Sequence, residues 1–170
     1  GPQIQKHHPQ SVQAVERQHG LHRLWMVFLY LRTRANLVPM PAPPTDPEGW
    51  PLVTVQLPLY NEMYVAERLI EAVSRLDYPA GRLEIQVLDD STDETQAVAS
   101  GIVDRYAALG HPIVYIHRNN RHGYKAGALD AGLKVAKGEY VAIFDADFVP
   151  PTDWLMKVIH HFAEPEIGMV

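Results

Sequence analysis

From residue 52 onward, hydrophobic and polar positions alternate in two rhythms. Leu52–Leu57 sets Val53, Val55 and Leu57 against Thr54 and Gln56, and Leu83–Leu88 sets Leu83, Ile85 and Val87 against Glu84 and Gln86. A period of two is that of a strand. Ile113-Val-Tyr-Ile116 and Tyr140–Phe144 are short apolar runs, and the second reads as a buried strand. Helical periods lie between them. Val65, Ala66, Leu69, Ile70, Val73 and Leu76 fall on one helical face. Ser91-Thr-Asp-Glu94 has the form of a capping box, opening a helix that buries Val98, Ile102, Tyr106 and Leu109 and stops at Gly110. A third helix is expected over 124–137, stopping at Gly138, and a fourth is capped by Thr152 and carries Leu155, Ile159 and Phe162. Strand starts near 52, 83, 113 and 140 are about 30 residues apart, the length of a βαβ unit. The pattern predicts an α/β fold with a mostly parallel sheet and right-handed crossovers.

Upstream the pattern changes. Leu24–Leu31 is eight apolar residues, with Arg23 before it and Arg32 and Arg34 after. A membrane-spanning helix needs roughly 20, so this segment is either a short helix packed on the domain or an interfacial one, with Trp25 and Tyr30 at headgroup depth. Pro39, Pro41, Pro43, Pro44, Pro47 and Pro51 make a stiff extended linker. The expected organisation is an amphipathic segment over 1–38, a proline-rich linker over 39–51 and an α/β unit over 52–170. Gly1-Pro2 reads as a protease scar, and Ile167–Val170 as the start of a further strand. The chain is therefore expected to be a fragment of a longer protein.

Composition narrows the chemistry. The chain has 170 residues, no cysteine and a net charge of −5, which excludes disulfides and thiolate metal sites. Residues 1–50 hold five basic and three acidic residues, and the remainder ten basic and seventeen acidic. An acidic α/β unit argues against nucleic acid as a partner, because phosphate recognition needs a basic face. It leaves room for a nucleotide held through a metal. The nine histidines, His7-His8 and His160-His161 among them, show no metal-ligand spacing and read as surface or packing residues.

Polar clusters follow each strand: Pro58-Leu-Tyr-Asn-Glu62, Asp89-Asp90-Ser91, His117-Arg118 and Asp145-Ala-Asp147. In an open parallel sheet, ligands bind outside the carboxyl ends of the strands, so these residues converge on one rim. A carboxylate just past a strand is often only a turn former or helix cap. Asp145 and Asp147, two apart in an extended segment, would point the same way and suit a hard metal ion and the diphosphate it neutralises. Asp90 is either a turn residue or a carboxylate accepting hydrogen bonds from a base or ribose. Gly123-Tyr-Lys-Ala-Gly127 lacks the Walker spacing. It is either a phosphate-binding helix start with Lys125 or a solvated lysine beside two close-packing glycines.

In this order, Leu57-Pro-Leu-Tyr-Asn-Glu62, Gln86-Val-Leu-Asp-Asp-Ser-Thr-Asp93, Gly123-Tyr-Lys-Ala-Gly-Ala-Leu129 and Val141-Ala-Ile-Phe-Asp-Ala-Asp-Phe148 resemble family 2 glycosyltransferases of the GT-A fold. The wording is nearest to the cellulose-synthase-like glucan and mannan synthases, over about residues 50–170. The resemblance implies the Rossmann-like nucleotide-binding half of a GT-A domain and a UDP- or GDP-sugar donor. It also implies Mg²⁺ or Mn²⁺, and inverting transfer of a hexose to a glycan or other hydroxyl acceptor. It assigns Pro58, Tyr60 and Glu62 to the nucleotide pocket and Asp90, with Asp89, to the base or ribose. Lys125 falls near the diphosphate or donor sugar, Asp145 at the nucleotide sugar or metal, and Asp147 on the metal. The family's general base lies in a later motif. This chain is then expected to hold the donor site alone and to transfer no sugar, within a membrane-associated parent working at the cytoplasmic face. A half-domain would leave a sheet edge open to self-association.

Three rivals remain. Asp145-Ala-Asp-Phe-Val149 also fits the D-x-D-x-[TV] motif of aspartyl-phosphate phosphatases, in which the first Asp is a nucleophile. That family carries the motif on its first strand, and here it follows the fourth. The second is a non-catalytic interaction fragment. The third, a dinucleotide-binding Rossmann domain, lacks its glycine fingerprint.

Overall fold

The computed structural model describes residues 23–33, 46–164 and 166–170. Most of the amphipathic segment and residues 39–45 of the linker lie outside them. Residues 23–33 form helix α1, with Trp25 stacked on Phe28 at 5.7 Å. Among the described residues no helix is long and apolar enough to cross a membrane.

The second unit alternates strictly: β1 Val53–Leu59, α2 Met63–Ser74, β2 Leu83–Asp89, α3 Thr95–Ala108, β3 Ile113–His117, α4 Tyr124–Leu133, β4 Tyr140–Ile143, α5 Trp154–Val158. All three strand pairings are parallel, in the order β3-β2-β1-β4. The chain steps outward from β1 to β3, then α4 carries it back across the sheet to the far side of β1. Strand order reverses between β1 and β4, and a crevice opens there at the carboxyl ends.

The two faces of the sheet are chemically different. Val53, Val55, Leu57, Ile85 and Val87 join Ala66, Leu69, Ile70 and Val73 of α2 and Ala99, Ile102 and Val103 of α3 in one apolar core. Each of the Val, Leu and Ile side chains contributes about 1.5–3 kcal/mol when fully buried. The opposite residues are polar yet also buried. Thr54 donates to Glu84 at 2.7 Å and Gln56 to Gln86 at 3.1 Å. Glu84 and Thr54 accept the backbone N–H groups of Lys137 and Gly138, both at 2.9 Å. A buried polar group is tolerated when hydrogen-bonded, so most of this ladder is paired under α4, with Gln86 Nε2 left without a partner among the described residues. Helix α4 can lie on it because a glycine faces the glutamines. A Cβ on Gly132 would stand 2.6 Å from Gln56 Nε2 and 2.8 Å from both Gln86 Oε1 and Leu88 Cδ2.

Some expectations change. Strand β4 is an edge, with Val141 and Ile143 exposed, because no described strand pairs with its outer side. Ile167–Val170 forms no strand. Ser91 does not cap α3: its hydroxyl accepts the N–H of Asn61 at 2.8 Å, and the Asp93 carboxylate accepts that of Thr95 instead. Leu109, beyond the end of α3, is exposed. Helix α4 ends at Leu133, before Gly138, whose N–H is turned to the sheet. Thr152 makes no side-chain cap on α5, and Ile159–Ala163 continues as a 3-10 helix.

Gly132→Ala is expected to lower stability by about 1–3 kcal/mol, the usual cost of overpacking, although alanine is the better helix former. Urea unfolding of the two proteins measures it, and an unchanged midpoint would mean that the glutamine layer gives way freely.

Candidate functional site

The parity of the strands decides which rim residues meet. Thr54 and Gln56 of β1 and Glu84, Gln86 and Leu88 of β2 face α4. Continuing at steps of two places Pro58, Tyr60 and Asp90 on the same side. These three line a cavity of about 400 Å³ together with Glu62, Arg121, Lys125, Ala128, Asp145 and Asp147. Every residue assigned to the donor site is therefore brought together except Asp89. That side chain has the parity of Ile85 and Val87 and points to the α3 face. One of its oxygens accepts the N–H of Ser91 at 2.8 Å and the other the hydroxyl of Tyr115 at 2.6 Å. It supports the rim from behind. The same rule of alternation, applied to β2, separates Asp89 from Asp90 in the sequence itself.

Asp90 is 4% exposed and is gripped by Arg118, whose Nε donates to it at 2.7 Å and whose NH2 group forms an ion pair with its second oxygen. The remaining donors of Arg118 reach the carbonyls of His122 and Tyr124, both at 3.1 Å. The role of Arg118 is not evident from the motif around it. It follows from register: His117 pairs with Asp89, which sets the next residue beside Asp90. A carboxylate has lone pairs beyond the two that a bidentate arginine takes, so Asp90 can still accept from a ligand in the cavity.

Asp145 and Asp147 both line the cavity, through a turn and not an extended segment. The N–H of Phe148 donates to the Asp145 carbonyl at 2.9 Å, closing a tight turn that buries Ala146. Phe144, just before the turn, packs on Trp154 at 5.0 Å. Lys125, one residue into α4, forms an ion pair with Asp145. It starts from two residues in left-handed backbone, Gly123 at φ +74 and Tyr124 at φ +51. Arg121 lays its guanidinium 3.2 Å from the centre of the Tyr60 ring.

The cavity carries four carboxylates and two cations. Glu62 registers that excess. Its carboxyl is pushed above the ordinary range by burial first, then by the charges of Asp147 and Asp145. Among the described residues no group of three or more side chains is arranged to hold a metal by itself. Mg²⁺ and Mn²⁺ need less than that, since one or two carboxylates plus substrate phosphates suffice for such hard cations. Two exposed carboxylates in a cavity with surplus negative charge fit that donor set.

The profile of Glycosyl transferase family 2 matches residues 54–170, which include every residue of the cavity. The chain belongs to glycosyl transferase family 2. Over 127 residues it is 47% identical to glucomannan 4-beta-mannosyltransferase 1 of Oryza sativa subsp. japonica, covering 70% of this chain and 24% of the relative. It is 45% identical to glucomannan 4-beta-mannosyltransferase 7 of Arabidopsis thaliana, covering 72% and 23%. This family 2 chain thus spans about a quarter of the length of those relatives. Among solved structures it resembles the mannosyltransferase PcManGT from Pyrobaculum calidifontis in complex with GDP-Man and Mn²⁺. The TM-score is 0.66 at 33% identity, over 84% of this chain and 41% of that one. It also resembles S. aureus TarS 1–349 in complex with UDP, with a TM-score of 0.57 at 25% identity over 66% and 32%. The GT-A architecture is that of these neighbours, and the family assignment displaces the phosphatase reading of Asp145-Ala-Asp147.

Because folding raises the pKa of Glu62, its ionised form opposes folding. The stability it contributes is fully present below the ordinary pKa of 4.5 and is lost as pH rises through the raised value. Glu62→Gln should therefore melt higher than the parent at pH 7, and the gap should close near pH 4. Thermal melts at the two pH values check this, and a gap of the same size at both would rule out the charge as its cause.

Proposed function

We propose that this chain carries the nucleotide-sugar site of a metal-dependent, inverting hexosyltransferase of the polysaccharide-synthase type, with GDP-mannose as its donor. One observation carries the reading. Pro58, Tyr60, Glu62, Asp90, Lys125, Asp145 and Asp147 arrive from four separate segments in a single cavity at the carboxyl rim of the sheet. The choice of donor is supported by the glucomannan mannosyltransferases among its relatives and by the GDP-Man and Mn²⁺ bound to the archaeal neighbour.

In this reading Tyr60 and Pro58 form a wall for the nucleoside, and Asp90, held rigid by Arg118, accepts hydrogen bonds from its base or ribose. Asp147 and Asp145 would hold Mg²⁺ or Mn²⁺, which when bound stabilises the negative charge growing on the departing diphosphate. Lys125, paired with Asp145 in the structure, would add a positive charge where the leaving group forms. An acceptor hydroxyl attacks the anomeric carbon from the face opposite the diphosphate, and the configuration inverts. The base that takes the hydroxyl proton belongs to a part of the protein outside these residues, and so does the glycan site. Helix α1, with Trp25, Phe28 and Tyr30 exposed, suits a segment at a membrane interface, consistent with a membrane-associated parent acting at the cytoplasmic face. The open edge of β4 favours self-association of the chain on its own.

Calorimetric titration of the chain with GDP and with UDP, each with and without Mn²⁺, is the test. GDP is expected to bind in the presence of the metal, UDP more weakly, and Asp147→Ala to lose the metal dependence. GDP binding that ignores both the metal and Asp147 would overturn the site. Sugar transfer from GDP-mannose by this chain alone would overturn the division of labour.

A further inference from the structure

Three cations stand near the cavity, and their partners differ. Arg118 is spent on Asp90 and Lys125 is paired with Asp145. Arg121 lines the cavity and, among the described residues, has no carboxylate within ion-pair distance. Lys125 is the cation felt by Glu62. Arg121 instead rests on the ring of Tyr60, with the Tyr124 ring 5.1 Å away. In a site with surplus acid, an arginine kept on an aromatic ring stays available to an incoming anion.

Its loop is built to hold it there. The N–H of Tyr124 donates to the Arg121 carbonyl at 3.0 Å, making a tight turn over residues 121–124. Arg118 fixes the far side of that turn through the carbonyls of His122 and Tyr124. Gly123 and Tyr124 both take positive φ, a conformation that a bulky side chain such as tyrosine adopts only when its surroundings impose it.

We propose that Arg121 is a second cationic contact for the diphosphate of the donor, with Tyr60 as the platform that aims it. The inference rests on the nucleotide-sugar reading above. Tyr60 covers one face of the guanidinium, so stacking of a nucleobase there is obstructed. What remains open is the rim of N–H donors, whose planar fork matches phosphate oxygens. The cation–π contact holds the side chain without neutralising it. An arriving phosphate therefore gains Arg121 without breaking an ion pair, whereas Lys125 must first leave Asp145.

The experiment compares the parent chain with Arg121→Ala and Arg121→Lys. GDP binding is followed by calorimetry in Mn²⁺, and guanosine binding by ligand-observed NMR. Circular dichroism melts establish that each variant is folded, which the exposed position of Arg121 favours. Arg121→Ala should weaken GDP about tenfold, the scale of one hydrogen bond to a charged group, and leave guanosine unchanged. Arg121→Lys should recover part of the loss, and salt should weaken GDP binding less in Arg121→Ala than in the parent. GDP affinity within twofold of the parent in Arg121→Ala would overturn the proposal. So would an equal loss for GDP and guanosine, which would place Arg121 at the nucleoside. A parent chain that fails to bind GDP at all would instead overturn the donor-site reading on which this one stands.

Discussion

The pair of buried Asp90 and half-buried Arg118 holds the rim of this sheet together. Asp90 leaves β2 on the side that faces α4, and Arg118 leaves β3 beside it. Having gripped the carboxylate, the guanidinium reaches the carbonyls of His122 and Tyr124. One side chain thereby joins two strand ends to the start of the crossover helix. A largely desolvated charge pair gains little net stability from its own attraction. Its effect is positional, because removing either partner leaves the other's charge uncompensated at the edge of the cavity. The strained turn before α4, the direction of Lys125 and the seat of Arg121 all depend on that anchor.

A second constraint works from beneath. Helix α4 crosses a face of the sheet made mainly of threonine, glutamate and glutamine, with Leu88 beside them. Hydrophobic burial does not hold it there as it holds α2 and α3. Hydrogen bonds across β1 and β2 pair all of the ladder but Gln86 Nε2, and Gly132 allows the helix to come close. The result is a helix whose depth is set by polar geometry, with little tolerance. Such precision suits an element that delivers Lys125 to a site where a displacement of an ångström would matter.

Electrostatically, the cavity is not balanced by its own residues. Carboxylates outnumber cations, and Glu62 takes up a proton more readily through its burial first and the charges of Asp147 and Asp145 second. An anionic nucleotide would be repelled by that surplus unless a divalent cation came with it. The arrangement of charges, more than any single ligand set, is what supports the proposed metal-assisted chemistry on a diphosphate.

The sequence by itself determined the parallel α/β architecture, because strand starts at regular intervals with amphipathic helices between them admit few other packings. It also determined the identity of the rim: Pro58, Tyr60, Glu62, Asp90, Lys125, Asp145 and Asp147 are legible as motifs, and they meet in space because parallel strands deliver their carboxyl ends to one edge. Alternation carried the information that separates Asp89 from Asp90, since adjacent residues on a strand face opposite sides. The tertiary structure decided the rest. Which strand became an edge depended on pairing order, so the apolar run of β4 is half exposed. Whether Asp145 and Asp147 share a cavity depended on a turn and not on strand geometry. The partners of Arg118 and Arg121 depended on register between strands and on where one loop folds back. These are contacts between residues distant in the chain, and no local pattern of hydrophobic and polar positions encodes them.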